Sequence, residues 1–516
     1  MLGSVCGFLA SGHAGVSRDS PGFLPYAAGL CRATAVLALA GLTSACLVGP
    51  DYARPSVETP LAFKESASPA AQVWKAARPN DAVPRGDWWS VFHDPVLDGL
   101  IRAIDVDNQS LRQALAAYEQ ARAVVQQARA QLFPTVIGAP SIRQSGSGND
   151  ARTTLTLQSS ANWELDLFGR IRRQIESGTA SAQASAANIA LVRLTLQAEL
   201  ATNYFQLRYQ ESLQRLLNDT IAAYQRSLSI ARNQYAAGVA ARSDVITAET
   251  QLQTTQASAI AIELRQATFA HAIAILSGRP PSEITIPHGH LAPRPPSIPV
   301  SVPSTLLERR PDIAQAERMV QAQSAQIGVA VAAFYPNVNL SASGGLSGNS
   351  IAALFAAGNQ FWSVTGAATE VLFDGGARLA ALQASRAGYD ASVAAYRQSV
   401  LTAFREVEDG LSGARILARQ QLAQQAAVVS ATRAVEIALN EYRAGTQNYT
   451  TVVTAQALEL SNRVTALQLL ASRFTTTVAL IRALGGSWDT GSLPGPEELV
   501  AARLPIDTGP ALRPDE

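Results

Sequence analysis

The chain has 516 residues, with 41 basic and 40 acidic side chains and a formal net charge of +1. That balance excludes a nucleic-acid binder working through a basic surface, and an apolar share of 47% excludes a chain disordered over its length. A single compact core is not expected at this size, so several domains or one elongated, repeated architecture must bury the apolar surface. The only cysteines, Cys6, Cys31 and Cys46, lie in the first 46 residues, which leaves no disulfide framework or cysteine metal site for the body of the chain.

The first readable element begins at Arg32. The apolar stretch Ala33-Thr34-Ala35-Val36-Leu37-Ala38-Leu39-Ala40-Gly41-Leu42 follows, then the small residues Thr43-Ser44-Ala45 and Cys46. This is a signal-peptide layout, too short to remain in a bilayer as a helix. The Cys46 motif resembles the lipobox of bacterial lipoproteins. It implies that residues 1–45 are removed and that Cys46 becomes an acylated first residue, bearing an N-acyl diglyceride or palmitate. Residues 1–29 are long and weakly basic for such a leader, which fits a start placed too far upstream. An acyl chain contributes about 0.8 kcal/mol per buried methylene, so lipidation sets a membrane address. The alternative is an unmodified cysteine buried near the terminus.

Beyond this segment the chain is duplicated. Leu132-Phe133-Pro134 recurs as Phe334-Tyr335-Pro336, Leu167-Phe168-Gly169 as Leu372-Phe373-Asp374-Gly375, and Tyr235-Ala236-Ala237-Gly238 as Tyr442-Arg443-Ala444-Gly445, at offsets of 202, 205 and 207. Later, Val245-Ile246-Thr247-Ala248 aligns with Val452-Val453-Thr454-Ala455, and Gly278 with Gly485. Two halves, 95–279 and 304–486, are therefore expected. Between them 280–303 carries eight prolines and reads as an extended linker. Residues 46–94 precede the first half, and 487–516, rich in Gly, Pro and charge, form a tail expected to be partly disordered.

In the first half a helix is expected over 110–132, where Leu111, Leu115, Tyr118 and Val125 fall at near-helical spacing and Pro134 stops the run. Strands are expected at about 135–146 and 153–168. In the second, Leu155, Leu157, Ala161, Trp163, Leu165 and Leu167 alternate with Thr154, Thr156, Gln158, Ser160, Asn162, Glu164 and Asp166. That is period-2 amphipathicity over a length able to cross a bilayer as a tilted strand. From Ile171 to Tyr235 apolar residues recur at steps of three or four, predicting a helix over 170–236, a rod on the order of 100 Å that must pair laterally as a coiled coil. Gly238 breaks it, and Ser243-Asp244 is the expected N-cap of a return helix over 244–276.

The second half repeats the plan, with strands at 337–347 and 360–373 and helices at 376–443 and 450–484, broken at Gly445. Residues 320–369 contain no Asp, Glu, Lys or Arg, yet hold Pro336 and many Gly, Ser and Asn residues. A transmembrane helix is excluded there and a membrane hairpin fits; the competing reading is a soluble amphipathic hairpin packed on the helices. Pro140 fits poorly in a central strand. Four strands per chain cannot close a barrel, and open edges do not survive in hydrocarbon, so several copies must share one barrel. Three would give twelve strands.

With these elements in place, four motifs carry a resemblance: Cys46-Leu47-Val48-Gly49-Pro50-Asp51-Tyr52-Ala53-Arg54-Pro55; Trp163-Glu164-Leu165-Asp166-Leu167-Phe168-Gly169-Arg170; Leu306-Leu307-Glu308-Arg309-Arg310-Pro311-Asp312-Ile313 with Glu317; and Ala483-Leu484-Gly485-Gly486-Ser487-Trp488. In this order they resemble the TolC-type outer membrane efflux proteins, in the NodT-like, OprM-like lipoprotein branch of resistance-nodulation-division efflux systems. The resemblance implies a mainly α fold with membrane β: a homotrimer with a shared twelve-stranded β-barrel in the outer membrane, a coiled-coil α-barrel through the periplasm, and an equatorial belt that includes 46–94. It implies a passive exit duct for drugs or other toxic solutes, joined to a periplasmic membrane-fusion adaptor and an inner-membrane resistance-nodulation-division pump. The adaptor-docking tips would be the turns carrying Gly238, Arg242, Ser243 and Asp244, and Gly445, Thr446 and Tyr449. Many relatives carry an Asp two residues after the second turn glycine, where this chain has Gln447, so Glu441 or Asp244 becomes an alternative gate carboxylate. A duct for type I protein secretion shares the fold, and a periplasmic coiled-coil scaffold without a pore is the reading from another class.

Catalytic chemistry is not expected. No HExxH, Walker A loop, Rossmann fingerprint or GxSxG elbow occurs. His288 and His290 lie in the Pro-rich linker without further Cys or His nearby, so a metal is not expected; His93 and His271 are isolated. Arg309-Arg310 with Asp312 could recognise an anion, but Pro311-Asp312 as a helix start is more economical. Glu164 and Asp166 form a carboxylate pair that could serve a glycosidase, and their polar parity points instead to lumen lining.

Overall fold

The computed structural model describes residues 47–60, 62–66, 87–147, 150–296, 309–488 and 490–501. Cys46, the leader and Leu306-Leu307-Glu308 lie outside the described residues. In chain order the elements are α1 (Pro95–Asp107), α2 (Gln109–Ala130), β1 (Thr135–Ser147), β2 (Asp150–Leu165), α3 (Arg170–Ala236), α4 (Arg242–Leu276), α5 (Pro311–Ala332), β3 (Asn337–Gly348), α6 (Ile351–Leu354), β4 (Gln360–Thr369), α7 (Ala377–Arg443), α8 (Tyr449–Ala483) and α9 (Pro496–Ala501). Sequence reasoning missed α1, although Asp94 accepts from the backbone N–H groups of Val96 and Leu97 and Pro95 fills the first position, a start signal written in the chain.

The rods α3 and α7 have 67 residues each. Each runs antiparallel to its return helix, α3 against α4 and α7 against α8, and α8 also lies along α3. All four end in the same way: Gly238, Gly278, Gly445 and Gly485 take positive φ angles of 73°, 78°, 75° and 89°. The following N–H reaches back to a carbonyl of the last turn, as in Val239 N to Gln234 O at 2.9 Å and Thr446 N to Glu441 O at 3.0 Å. This Schellman closure satisfies carbonyls that the helix leaves free.

At the other end each repeat locks its short helix to its return helix. Asn108 caps α2 by accepting from Leu111 N at 3.0 Å and donates from Nδ2 to Leu276 O at the end of α4, at 2.7 Å. In the second repeat Arg310 does the equivalent work, donating to Ala483 O at 2.8 Å, to Glu406 of α7 at 2.8 Å and bidentately to Asp312 at 2.6 and 3.0 Å. Its guanidinium is buried, so the three acceptors replace the water it has lost. The anion-recognition reading of this motif is superseded by that internal clamp, while Pro311 does open α5.

The largest core sits where α1, α3, α4 and α8 converge, around Trp88, Trp89, Tyr204, Phe205 and Phe474. Beside it lies a buried polar chain. Tyr204 donates to Asp94 at 2.5 Å, Arg208 bonds Tyr204 at 3.0 Å and Glu211 at 2.7 Å, and Glu211 accepts from the backbone of Gly289 at 3.1 Å. His288 approaches Glu211 at 3.2 Å, so the linker histidine serves linker docking, and no cluster of metal-binding side chains forms among the described residues.

The N-terminal segment is a strap across both repeats. Arg173, 2% exposed, holds Val48 O at 3.2 Å and Asp51 at 2.8 Å. Tyr52 donates to Glu317 of α5 at 2.5 Å, and Phe63 is buried against Val407 and Leu480. The tail is more ordered than expected as far as the structure describes it: Leu499 of α9 packs on Val125 and Ala182, and its carbonyl accepts from Gln126 at 2.9 Å. The described part of the tail is thereby tied to the first repeat.

Arg310→Ala is expected to destabilise the fold by about 3 kcal/mol, because Glu406 and Asp312 keep their charge without the buried partner. Thermal unfolding followed by circular dichroism in detergent should show a lower midpoint, with Arg310→Lys falling between the two.

Candidate functional site: a membrane sheet and a helical tip

The four strands form one antiparallel sheet in the order β1-β2-β3-β4. Register makes the faces explicit, since directly paired residues share a face. Leu157 pairs with Pro140 and Leu346, Ala161 with Val136 and Ala342, and Trp163 with Leu340. Ala342 pairs in turn with Val364, and Gly344 with Trp362. One face is therefore apolar across all four strands, and Trp362 stands 83% exposed on it. The opposite face carries Thr156, Ser160, Asn162, Ser341, Ser343 and Thr365; Ser343 and Ser363 share a hydrogen bond of 2.8 Å.

The β2–β3 register runs from Leu155 to Leu165, the length of a tilted strand that crosses hydrocarbon. Pro140 sits in β1, the edge strand of the protomer's sheet, where a missing donor is tolerated best. Both β1 and β4 have a neighbour on one side alone.

Two strand ends fall short of expectation. β2 stops at Leu165 and β4 at Thr369, because the residues beyond them build the helix entries. Asp166 accepts from Ile171 N and Arg172 N, both at 3.0 Å, and Asp374 does the same for Gly376 N and Arg378 N. Glu164 is gripped by Arg170 at 2.8 and 3.0 Å. The pair Glu164 and Asp166 thus holds the junction of sheet and helix; Glu164 keeps its place on the polar face opposite Asn339, while Asp166 lies beyond the end of β2.

The helices α4 and α8 are long and apolar enough, by length and composition, to span a membrane. Each nevertheless pairs along its length with a charged rod that passes no such test, α4 with α3 and α8 with α7. Their Leu and Ile side chains serve lateral packing of helices.

At the far end of the rods lie the two turns. Gly238 and Gly445 are exposed, with open space where a side chain would project, so only their φ angles demand glycine. Arg242 and Ser243 are exposed. Ser243 is not the cap that was expected: α4 starts at Arg242 after Ala241, which offers no capping side chain, and Asp244 falls in the first turn. The matching turn is capped by Asn448, which accepts from Thr451 N at 3.2 Å.

Asp244 is half-buried in a polar notch of about 460 Å³ between the turns, shared with Gln234, Tyr442, Gly445, Thr446 and Gln447. Gln234 reaches across from the first hairpin and donates to the carbonyls of Tyr442 and Arg443 at 3.2 and 3.3 Å. The Tyr442 hydroxyl is buried without a hydrogen bond of normal geometry; burial raises its pKa, and the nearby Asp244 charge adds to the rise. Tyr449, assigned above to the docking tip, is 2% exposed. It meets Tyr442 edge-on at 5.1 Å inside a cluster with Leu228, Ala231, Ala248 and Val452, so its ring joins the hairpins together and offers no docking surface. Glu441 contributes its carbonyl to the turn, and Gln447 is exposed beside Thr451. Gln234 and Asn448 went unnoticed in the sequence; the divergence of Tyr442, buried, from its repeat counterpart Tyr235, 48% exposed, was not visible without coordinates.

A family model described as outer membrane efflux protein matches residues 100–279 and 302–486. The chain belongs to the outer membrane efflux protein family. The matched ranges correspond to the two repeats. The chain is similar to the outer membrane protein OprJ of Pseudomonas aeruginosa, 32% identical over 472 residues that cover 88% of this chain and 96% of the relative. It is also similar to the toluene efflux pump outer membrane protein TtgC of Pseudomonas putida, 31% identical over 454 residues covering 86% and 93%. Among solved structures, the outer-membrane channel OprN superposes with a TM-score of 0.78 at 31% identity, over 86% of this chain and 99% of that one. The open state of the Neisseria gonorrhoeae MtrE outer membrane channel gives 0.74 at 26% identity, over 86% and 98%. This efflux protein is an outer membrane exit duct, with its sheet in the membrane and its helices on the periplasmic side.

Burial pushes the Tyr449 phenol up to about 12 from 10.0, with the neighbouring Tyr442, Tyr224 and Asp244 adding to it. A phenol raised in the packed tip but ordinary when released favours the packed form fully below pH 10, and that stabilisation is lost as pH climbs toward 12. The thermal unfolding midpoint in detergent is expected to fall over that interval, and Tyr449→Phe is expected to flatten the fall.

Proposed function

We propose that three copies of this chain close one twelve-stranded barrel and one helical tunnel, and that the tunnel's tip docks a periplasmic adaptor which joins it to an inner-membrane pump of the resistance-nodulation-division class. The observation that carries the trimer is the pair of free edges, β1 and β4, flanking a sheet with one continuous apolar face. Edge pairing of β4 with the next copy's β1 satisfies both, and three copies of four strands fall within the sizes known for such barrels. The polar face then lines a water-filled lumen.

Relatives named as toluene and antibiotic efflux pump components favour small toxic solutes as cargo over secreted protein. At the tip, Gln234, Asp244 and Tyr442 couple the two hairpins of a protomer. We assign the resting closure to that coupling; the first hairpin's Arg242 and Ser243, with Thr446 of the second, present the docking surface. An acyl group on Cys46 is supported by its neighbours: Leu47 packs over Gly169 and Val48 N bonds Phe168 O at 3.3 Å. The strap's first described residues therefore lie at the junction of sheet and helices.

The test is the detergent-corrected mass of the purified protein by light scattering, together with single-channel recording. A three-chain mass with discrete conductance steps is expected; a water-soluble monomer without conductance refutes the duct. For the anchor, mass spectrometry of the amino terminus should find acyl mass on Cys46, absent from Cys46→Ser.

A further inference from the structure

The polar face of the sheet is nearly free of charge, and its exceptions are concentrated at one end. Register places Arg143 opposite Thr154 and Arg152 opposite Ser145, so both guanidiniums share the polar face with Thr156 and Ser160. The two residues occupy diagonal positions of the ladder, where backbones are on the order of 7–8 Å apart. Both lie where the β1–β2 hairpin projects past Gly348, the last residue of β3 paired with β2, at the end of the sheet opposite the long helices.

Neither arginine meets a carboxylate among the described residues, whereas Arg170, Arg172, Arg173, Arg208, Arg310 and Arg378 all do. Asp150, on the same face at the start of β2, is one carboxylate against two cations and forms no ion pair among the described residues. Glu164 lies at the opposite end of β2 in the grip of Arg170. Nor does a neighbouring copy supply a counter-charge: the edge that closes on β1 is β4, and residues 320–369 hold no charged side chain. Two unpaired cations at this spacing repel each other, and a passing anion relieves that repulsion.

We propose that Arg143 and Arg152 form a cationic band around the outer mouth of the duct, a site for small anionic solutes that disfavours cations. The band rests on the three-chain barrel proposed above, which brings together two guanidiniums from each copy. Rings of fixed charge around a narrow aqueous lumen raise the local concentration of the opposite sign and exclude their own.

The test reads the potential locally, so that the state of the tip does not enter. Thr154→Cys places a thiol between the two arginines, and its rates of modification by ethylsulfonate (anionic) and ethyltrimethylammonium (cationic) methanethiosulfonates are compared in lipid-reconstituted protein. The unsubstituted protein supplies the background. The ratio of anionic to cationic rates is expected to be about fivefold higher than in the same variant carrying Arg143→Gln and Arg152→Gln, with the difference collapsing in 1 M salt, where the screening length is about 3 Å. An equal ratio with and without the arginines overturns the band. Leu157→Cys, on the apolar face, is expected to resist both reagents; modification there as fast as at Thr154→Cys would instead remove the barrel on which the band rests.

Discussion

Along β1 and β4 the outward-facing backbone N–H and C=O groups have no strand partner among the described residues, and hydrocarbon offers them none. An unpaired peptide group costs several kcal/mol in that medium, so a row of them cannot persist at either edge. Closure around a pore follows from this single requirement, and with it the separation of an apolar outer wall from a Ser-, Thr- and Asn-rich inner one.

The passage from sheet to helix is where the two geometries are reconciled. Asp166 and Asp374 turn their carboxylates onto the first N–H groups of α3 and α7, replacing partners that strand pairing no longer supplies. Arg170 and Arg378 fasten the same junctions from the helix side. The acidic residues at the strand ends therefore hold the junction together. Between the junction and the tip, Asn108 and Arg310 show how duplication preserves a position while changing its chemistry: one amide and one guanidinium each tie a short helix to the final carbonyl of its return helix.

Asymmetry between the repeats makes the tip workable. Both turns end in the same glycine closure, but only the second has a capping side chain, Asn448, and only the second buries its tyrosine, Tyr442. Gln234 then bridges from the first hairpin to the second. A joint made of a few hydrogen bonds and one aromatic pair, at the ends of rods held firmly elsewhere, is a region of low local stability.

Much of this was legible in the chain. Period-2 alternation through Thr154 to Leu165, the charge-free run 320–369, the three-and-four spacing of Ile171 to Tyr235 and the recurrent glycines each reflect a local rule that holds whatever the surroundings. Those rules determined element types, the duplication and the need for several copies. The family resemblance, carried by motifs spread along the chain, supplied function. Tertiary structure decided what each polar residue does, because a carboxylate or tyrosine has no role until its neighbours are known. Asp166 became a cap because α3 begins beside it, Tyr449 became core because four helices meet around it, and Arg143 and Arg152 became conspicuous because register put them on one face without a counter-ion.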